Sequence, residues 1–345
     1  MSLSATYIII TLLCYWWVMK TEYKFSKLQI DLTDKCNSAC LFCPRTTNPE
    51  KVSNVDITVE DVKKLMKSDV KRVWMCGNYG DASMNTHLFD IIEYLKTTQC
   101  EEIRIATNGS AHSPDWWARL AKSLRPCDQV VFAIDGNTAE SHESYRKQTS
   151  FDQILKNTQS FIDAGGWAIW QFILFDYNKD ELESAKERAQ KMGFSNFRII
   201  YSARNLQYGT GTHKIGKKFY TKIDPICIKR DRFYVSAKGE VSPCCWAAET
   251  HQSNGVDMPK LEDFDSLKDL LESDTWNNYF QGFIDHWNEI ENTKSIKTTS
   301  DESKYPCTKK CGMNSRNVKE TINFCEDRIF IEDPGDDENT MNLIV

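Results

Sequence analysis

The stretch KLQIDLTDKCNSACLFCPR, residues 27–45, joins a strand-like segment to three closely spaced cysteines. Cys36, Cys40 and Cys43 are separated by three and two residues, and no fourth cysteine lies nearby. A structural zinc site is closed by four ligands, which usually come as two close pairs. Three thiols therefore favour a metal site that keeps one position open.

Five more strand-like segments follow, and amphipathic helical stretches separate them. The six segments are 27–33, 72–76, 102–107, 129–135, 167–175 and 196–202. Most of them are almost continuously apolar, as expected for strands that are covered on both faces. Strands that alternate with helices predict repeated βαβ units and a parallel sheet.

Helix start and stop signals support this alternation. Thr58 and Asp61 have the spacing of a capping box. Pro114 stands at the first position of the helical stretch that contains Trp117 and Leu120. Gly165 and Gly193 are placed where helices are expected to end.

The order of the elements favours a barrel over a nucleotide-binding sheet. No G-x-G-x-x-G follows the first strand, so a dinucleotide-binding fold loses support. We expect an α/β fold, a partial (β/α)6 barrel that resembles a TIM barrel. Barrels of this kind carry their chemistry at the carboxyl ends of the strands, and the three cysteines follow the first strand at that end.

The cysteine stretch resembles a known family at this point. Cys-x3-Cys-x2-Cys with Phe42 before the last cysteine is similar to the motif of the radical S-adenosylmethionine (SAM) enzymes. The resemblance covers about residues 26–202 and implies a 4Fe–4S cluster on Cys36, Cys40 and Cys43. It also implies that SAM binds the open iron and is cleaved reductively to a 5′-deoxyadenosyl radical, which abstracts hydrogen from a substrate.

The resemblance also implies contacts to SAM. MCGNYGDA (75–82) stands where the family has a GGEP-like motif, ATNG (106–109) ends the third strand, and AIDG (133–136) is similar to SxDG. Ala82, Asp81 and Ala133 depart from the usual Pro, Glu and Ser, which weakens these matches. An ordinary glycine turn is the alternative interpretation of residues 75–82, and a surface position is the alternative for Arg146. The implied SAM-binding residues are Phe42, Gly77, Asn78, Gly80, Asp81, Asn108, Asp135, Arg146 and Gln171. No catalytic residue is assigned.

The C-terminal third holds a second group of cysteines. FYVSAKGEVSPCCW (233–246) predicts a hairpin with Lys238–Gly239 as its turn. Cys227-x11-Gly239-x4-Cys244 resembles the opening of the SPASM extension of radical SAM enzymes, which binds auxiliary clusters. The resemblance implies a truncated or twitch-like version with one auxiliary 4Fe–4S cluster on Cys227, Cys244, Cys307 and Cys311. Zinc in the same thiolates is the alternative.

The remaining cysteines are interpreted as structural. Cys245 could take the place of Cys244, but neighbouring residues of a strand point to opposite faces, so only one of them is expected to face the metal. Cys325 is interpreted as a buried apolar residue, with a spare ligand or a hydrogen donor as alternatives. The structural cysteines are Cys14, Cys76, Cys100 and Cys127. The six histidines form no pair with metal-ligand spacing.

The predicted organisation has five parts. These are an N-terminal extension (1–25), a radical SAM barrel (26–202), a linker (203–226), a SPASM-like domain (227–330) and an acidic, unstructured tail (331–345). The apolar run at 7–19 has 13 residues, fewer than the roughly 20 that span a membrane. We expect Met19 to be the true start, with a packed helix or a weak anchor as alternatives.

Composition narrows the partners. The net charge of −6 and the pI of about 5.7 argue against a broad nucleic-acid surface. The clustering of the 13 cysteines indicates metal chemistry in a reducing compartment, hence the cytoplasm. We expect an electron donor such as flavodoxin or ferredoxin and a peptide or small-molecule substrate, while the reaction class stays open between oxidoreductase and transferase. The alternative function is a non-catalytic iron–sulfur or zinc protein, an electron carrier or scaffold.

Overall fold

The computed structural model describes residues 25–201, 227, 231–293, 307, 319–324 and 340–344 of the 345-residue chain. Four predicted features lie outside these residues. They are the extension with Met19 as its expected start, the linker at 203–226, the proposed ligand Cys311, and Cys325.

The six predicted barrel strands are present. They are β1 (Lys27–Ile30), β2 (Arg72–Met75), β3 (Glu102–Thr107), β4 (Gln129–Ala133), β5 (Trp167–Leu174) and β6 (Asn196–Tyr201). Each strand pairs in parallel with the next one along the chain. This arrangement confirms the α/β fold class, and it brings the carboxyl ends of all six strands to one edge of the sheet.

Helices connect the strands and continue after the barrel. In chain order they are α1 (Pro44–Thr47), α2 (Val59–Met66), α3 (Leu88–Lys96), α4 (Pro114–Ser123), α5 (Ala139–Tyr145), α6 (Phe151–Asp163), α7 (Leu182–Met192), α8 (Cys245–Asn254), α9 (Leu267–Glu272) and α10 (Asp274–Thr293). Thr58 and Asp61 form the predicted capping box of α2, and Gly193 ends α7 with a φ of 87°. The local signals therefore place these helix ends correctly.

The two faces of the sheet have different neighbours. Val130 and Phe132 of β4 belong to the main core, together with Trp117 of α4 and Phe161 of α6. Val131, between them, belongs to a small separate cluster on the opposite face of the sheet. This alternation is the period-2 pattern of a strand, and it packs α4 and α6 against one face of the barrel sheet.

The concave face carries polar side chains at the amino-terminal half of the barrel. Arg104 lies over the Trp74 ring, 4.5 Å from its centroid, and donates from Nε to Gln129 Oε1 at 2.9 Å. Arg232 lies 4.9 Å from the same ring. Stacking on an aromatic ring and a hydrogen bond allow a guanidinium group to stay inside the barrel.

The C-terminal region extends the barrel sheet at both of its edges. The predicted hairpin is present, with β7 (Arg232–Val235) antiparallel to β8 (Val241–Ser242) and Gly239 at a φ of 75° in the turn. Strand β7 pairs in parallel with β1. At the other edge β9 (Lys319–Asn323) pairs antiparallel with β6, and β10 (Thr340–Ile344) pairs parallel with β9. The ten described strands form one sheet.

Two expectations about this region are wrong. The second hairpin strand ends at Ser242, and α8 begins at Cys245, because Pro243 cannot donate a ladder hydrogen bond and Cys244 caps the helix by accepting from Ala247 N. The argument from opposite strand faces therefore does not separate Cys244 from Cys245. The acidic tail is also not wholly unstructured, since residues 340–344 form β10.

In the described part of the chain, no helix combines the length and the apolar character needed to cross a membrane.

Candidate functional site

The three-cysteine loop follows β1 at the carboxyl end of the barrel and is held from two sides. The carboxylate of Asp34 accepts hydrogen bonds from Ser53 N at 2.6 Å and Val55 N at 2.8 Å. On the other side, Ala39 N donates to Lys147 O at 2.9 Å and Leu41 N donates to Tyr145 O at 3.1 Å. These bonds hold the loop against two neighbouring segments of the chain.

Polar groups lie against the three thiols. Ser38 Oγ lies 3.2 Å from Cys36 Sγ and 3.4 Å from Cys40 Sγ. Asn108 Nδ2 lies 3.7 Å from Cys36 Sγ, and the Cys43 thiol donates to Asn78 O at 3.8 Å. Sequence reasoning missed Ser38, although a small hydroxyl residue between two cysteines of a metal motif is a usable signal.

The donor set fits an iron–sulfur cluster. Burial raises the pKa of Cys36 to about 11 and also raises the pKa of Cys43, so both thiols keep their protons until a metal displaces them. Among the described residues, no three Cys, His, Asp or Glu side chains converge as ligands of a single ion. A cluster binds each thiolate to a different iron, so it does not require such convergence.

Gly77 and Gly80 allow the loop after β2 to lie against the start of the cysteine loop. A Cβ atom at Gly77 would lie 2.0 Å from Gly80 O, and a Cβ atom at Gly80 would lie 1.9 Å from Thr33 O. Asp81 N also donates to Lys35 O at 2.8 Å. Only glycine permits this close approach of backbones, which keeps the two loops together.

Asp81 is buried and lies in a hydrogen-bond network inside the protein. Its Oδ2 accepts from Asn108 N at 2.7 Å, and its carboxylate also accepts from Thr107 Oγ1 at 2.9 and 3.1 Å. Ser83 donates to Oδ1 through both N and Oγ. The structure thus places Asp81 as a link between the loops that follow β2 and β3, and this link positions Asn108.

Asp135 and Arg146 form a buried ion pair next to the cysteines. Arg146 Nε donates to Asp135 Oδ2 at 2.6 Å, and Arg146 Nη1 lies 3.7 Å from Cys40 Sγ. Burial raises the pKa of Asp135, while the charge of Arg146 acts in the opposite direction. Ile173 N donates to the other carboxylate oxygen at 2.7 Å. Arg146 therefore brings a positive charge to the thiol loop.

His142 supports this ion pair from behind. Its Nδ1 accepts from Asp135 N at 3.1 Å, and its Nε2 lies 3.2 Å from Thr149 Oγ1. Burial lowers the pKa of His142 to about 3, so the ring is neutral near pH 7. His142 begins the stretch HESYR (142–146), but nothing in the sequence indicates that this histidine contacts the backbone of Asp135.

Two other predicted SAM-binding residues lie near the carboxyl end of the sheet. Gln171 on β5 accepts from Arg198 Nη1 at 3.0 Å. Phe42 adopts a φ of 63° and lies in a small apolar cluster with Tyr145 and Phe175. Positive φ is unusual for a residue with a Cβ atom, so the tight cysteine loop is strained at Phe42.

The second group of cysteines is only partly described. Cys227 and Cys307 are buried, and Cys244 is the half-buried N-cap of α8. Cys307 belongs to the main core, and Cys244 packs against that core. The proposed fourth ligand, Cys311, lies outside the described residues.

The barrel matches a protein family. Residues 30–189, which include the three-cysteine loop and the strands from the end of β1 to β5, match the Radical SAM superfamily. This barrel is a radical SAM domain. The match confirms the family that the cysteine motif indicates.

Curated relatives match about half of this chain. The chain is 22% identical over 172 residues to a probable GTP 3′,8-cyclase from Methanococcus maripaludis and 24% identical over 172 residues to the subtilosin biosynthesis protein AlbA from Bacillus subtilis. Each match covers 48% of this chain. It covers 55% of the first relative and 37% of the second.

Solved structures resemble the radical SAM domain and part of the chain beyond it. Streptococcus suis SuiB bound to the precursor peptide SuiA superposes with a TM-score of 0.56 at 15% identity, covering 76% of this chain and 67% of SuiB. Native anSMEcpe with bound AdoMet and Cp18Cys peptide gives a TM-score of 0.55 at 14% identity, covering 84% of this chain and 90% of the other. These similarities confirm the predicted fold class.

Proposed function

We propose that this chain is a radical SAM enzyme that holds a 4Fe–4S cluster on Cys36, Cys40 and Cys43. When bound, the cluster supplies one electron that cleaves SAM to a 5′-deoxyadenosyl radical, which abstracts hydrogen from the substrate. The observation that carries this proposal is the loop of three thiols at the carboxyl end of β1. Ser38 Oγ lies next to the sulfur atoms of Cys36 and Cys40, and Asn108 Nδ2 lies next to that of Cys36.

The residues around the loop have separable roles in this proposal. Gly77, Asn78 and Gly80 present backbone groups to the amino end of SAM. Asn108, which follows β3, and Gln171, within β5, present amide groups. Phe42 provides an apolar surface. Asp81, Asp135 and Arg146 act by positioning: Asp81 holds Asn108, and Asp135 holds Arg146 close to Cys40.

A second site in the C-terminal region is also proposed. Cys227, Cys244, Cys307 and Cys311 would hold one auxiliary 4Fe–4S cluster within a SPASM-like region at 227–330. Its support is the spacing of Cys227, Gly239 and Cys244 and the burial of Cys227 and Cys307. Four thiolates are also a complete zinc site, so metal analysis distinguishes the two options.

A peptide is the proposed substrate class. SuiB is described with a precursor peptide and anSMEcpe with the Cp18Cys peptide, and AlbA is a bacteriocin biosynthesis protein. These three resemblances support a peptide over a small molecule. The electron donor is proposed to be a flavodoxin or ferredoxin.

The test uses protein that is purified and reconstituted without oxygen. Iron, sulfide and zinc are quantified, SAM and dithionite are added, and 5′-deoxyadenosine is measured. Two clusters would give about eight irons per chain, whereas one cluster with zinc at the second site would give about four. Wild-type protein should form 5′-deoxyadenosine in both cases.

Cysteine variants provide the control. Cys36→Ala, Cys40→Ala and Cys43→Ala should each abolish 5′-deoxyadenosine, while Cys127→Ala, which changes an exposed cysteine away from the loop, should not. A fully iron-loaded wild-type protein that neither forms 5′-deoxyadenosine nor changes its spectrum with SAM would refute the proposal. The result would then favour an electron carrier or scaffold.

A further inference from the structure

Asn78 contacts three separate parts of the chain with three different groups. Its backbone carbonyl accepts from the Cys43 thiol at 3.8 Å, and its backbone N–H donates to Asp31 Oδ2 at 2.9 Å. Its side-chain Nδ2 donates to Cys245 O at 2.9 Å. The backbone of Asn78 therefore belongs to the cofactor side, and only its side chain reaches the C-terminal region.

The partner of that side chain is the first residue of α8. Cys244 directly precedes it as the N-cap, and Cys244 Sγ accepts from Ala247 N at 3.4 Å. The first turn of a helix is where its backbone N–H groups lack intrahelical partners and where its end frays. A fixed point at Cys245 O thus determines where Cys244 lies relative to the barrel.

Asp31 holds Asn78 in place from below. It is 2% exposed, and its own backbone N–H donates to Val235 O on β7 at 3.0 Å. The hydroxyl of Tyr234, also on β7, lies near the Asp31 carboxylate and lowers its pKa. Among the described residues, neither this hydroxyl nor Asp31 Oδ1 forms a hydrogen bond of normal geometry. Asp31 therefore connects β1, β7 and the loop after β2, and a rigid base supports the Asn78 side chain.

We propose that the Asn78 side chain is a positioning element that fixes the start of α8, and with it Cys244, relative to the three-cysteine loop. The functional consequence of this inference rests on the proposed function, because SAM binding near the three-cysteine loop would then also order the start of α8. Its structural part does not depend on SAM. By linkage, whatever orders the loop after β2 also orders α8, as long as the Asn78 amide connects them.

Two variants separate the side chain from the backbone. Asn78→Ala removes the amide but keeps the backbone groups that contact Asp31 and Cys43. Asn78→Asp keeps the size of the side chain but cannot donate to Cys245 O. Asn137→Ala is the matched control, because it removes another asparagine amide bond, to Ser184 Oγ at 2.9 Å on the exposed side of the barrel.

The measurement is amide hydrogen exchange by mass spectrometry on the reconstituted full-length proteins, with and without SAM. Both Asn78 variants should show about 2- to 10-fold faster exchange in residues 245–254, the range expected for losing one hydrogen bond. SAM should slow exchange in α8 of the wild type and of Asn137→Ala, but not of the Asn78 variants.

Other results would overturn the inference. Exchange in 245–254 that is equal in all four proteins would show that the amide does not hold α8. A SAM affinity that falls more than tenfold with unchanged α8 exchange would place the side chain at the cofactor instead. If wild-type protein does not bind SAM, the proposed function fails, and the exchange measured without SAM still decides whether Asn78 holds α8.

Discussion

Ser38 lies between two of the three loop thiols and is 8% exposed. Once the cysteines are thiolates, its hydroxyl can only donate to them. Hydrogen bonds to sulfur help set the potential of an iron–sulfur cluster, because they stabilise the more negative reduced form. Ser38 is therefore expected to tune the cluster without binding iron.

Ser38→Ala should lower the reduction potential of the cluster. Because dithionite would then reduce a smaller fraction of the cluster, SAM cleavage should slow by about tenfold, the lower range for residues that support metal ligands. A redox titration followed by EPR measures the potential. Ser68→Ala is the control, because Ser68 Oγ donates to Leu65 O on the outside of the barrel. An unchanged potential in Ser38→Ala would contradict the assignment.

Asp31 makes stability depend on pH. Burial raises its pKa from 3.8 to about 7, against the opposing effects of the Tyr234 hydroxyl and of the backbone N–H groups of Asn78 and Tyr79. As pH falls from 8 to 5.5, the folded protein takes up a proton that the unfolded chain does not bind, so the folded state gains stability. The expected gain is about 2 kcal/mol.

Asp31→Asn should lose this pH dependence, because an amide does not titrate in this range. Urea unfolding of both proteins at pH 8 and pH 5.5 measures the difference. The wild type should gain about 2 kcal/mol relative to the variant on acidification. An equal change in unfolding free energy for the two proteins would show that Asp31 does not titrate between pH 8 and pH 5.5 in the folded state.

The loop after β2 depends on glycine for its distance from β1. Gly80→Ala would put a Cβ atom 1.9 Å from Thr33 O, a backbone atom that cannot move without shifting the start of the cysteine loop. We expect SAM affinity to fall more than tenfold, as measured by isothermal titration calorimetry. The helical circular dichroism signal should stay close to that of the wild type, since the clash falls between two loops and not within a helix.

Gly165→Ala is the control for the effect of glycine as such. Gly165 has a φ of 92°, but a Cβ atom added there would meet nothing within 4 Å, so alanine at this position is strained without clashing. It should cost about 1–2 kcal/mol of stability and leave SAM binding intact. Equal SAM affinity in both variants would show that close approach at Gly80 does not matter for the cofactor.

Local sequence patterns predicted the elements well wherever one segment determines its own structure. The six barrel strands, the capping box at Thr58 and the turn at Gly239 all follow from apolar runs or from side chains within four residues. The region of Cys244 and Cys245 did not follow, because an apolar run after a hairpin strand looks the same in a strand and in a helix. The cap at Cys244 decides the outcome there.

Contacts between distant segments were beyond the sequence pattern. The family motif located Asp81 and Asn78, but their partners are Asn108 and Cys245, which lie 27 and 167 residues away. The pairing of β7 with β1 is another such contact. These partners depend on which strands become neighbours, and the local pattern of a single sequence does not reveal the order of strands in the sheet.

The C-terminal region covers the β1 edge of the barrel sheet. Because β7 covers the outer edge of β1, a chain that stops at residue 230 would expose a row of unpaired backbone groups and the apolar side chain of Phe25, which now packs against Phe233. We expect this fragment to aggregate, whereas the full chain elutes as a discrete species in size-exclusion chromatography. A soluble, monodisperse fragment would contradict this dependence.

The pairing of β1 with β7 also has a consequence for biosynthesis. About 200 residues separate the two strands along the chain, so a ribosome that adds about 5–20 residues per second needs roughly 10–40 s to supply the partner of β1. During that time the nascent barrel has an open edge next to its cysteine loop. Chaperone binding and cluster delivery are thus expected to compete for the open β1 edge of the nascent barrel.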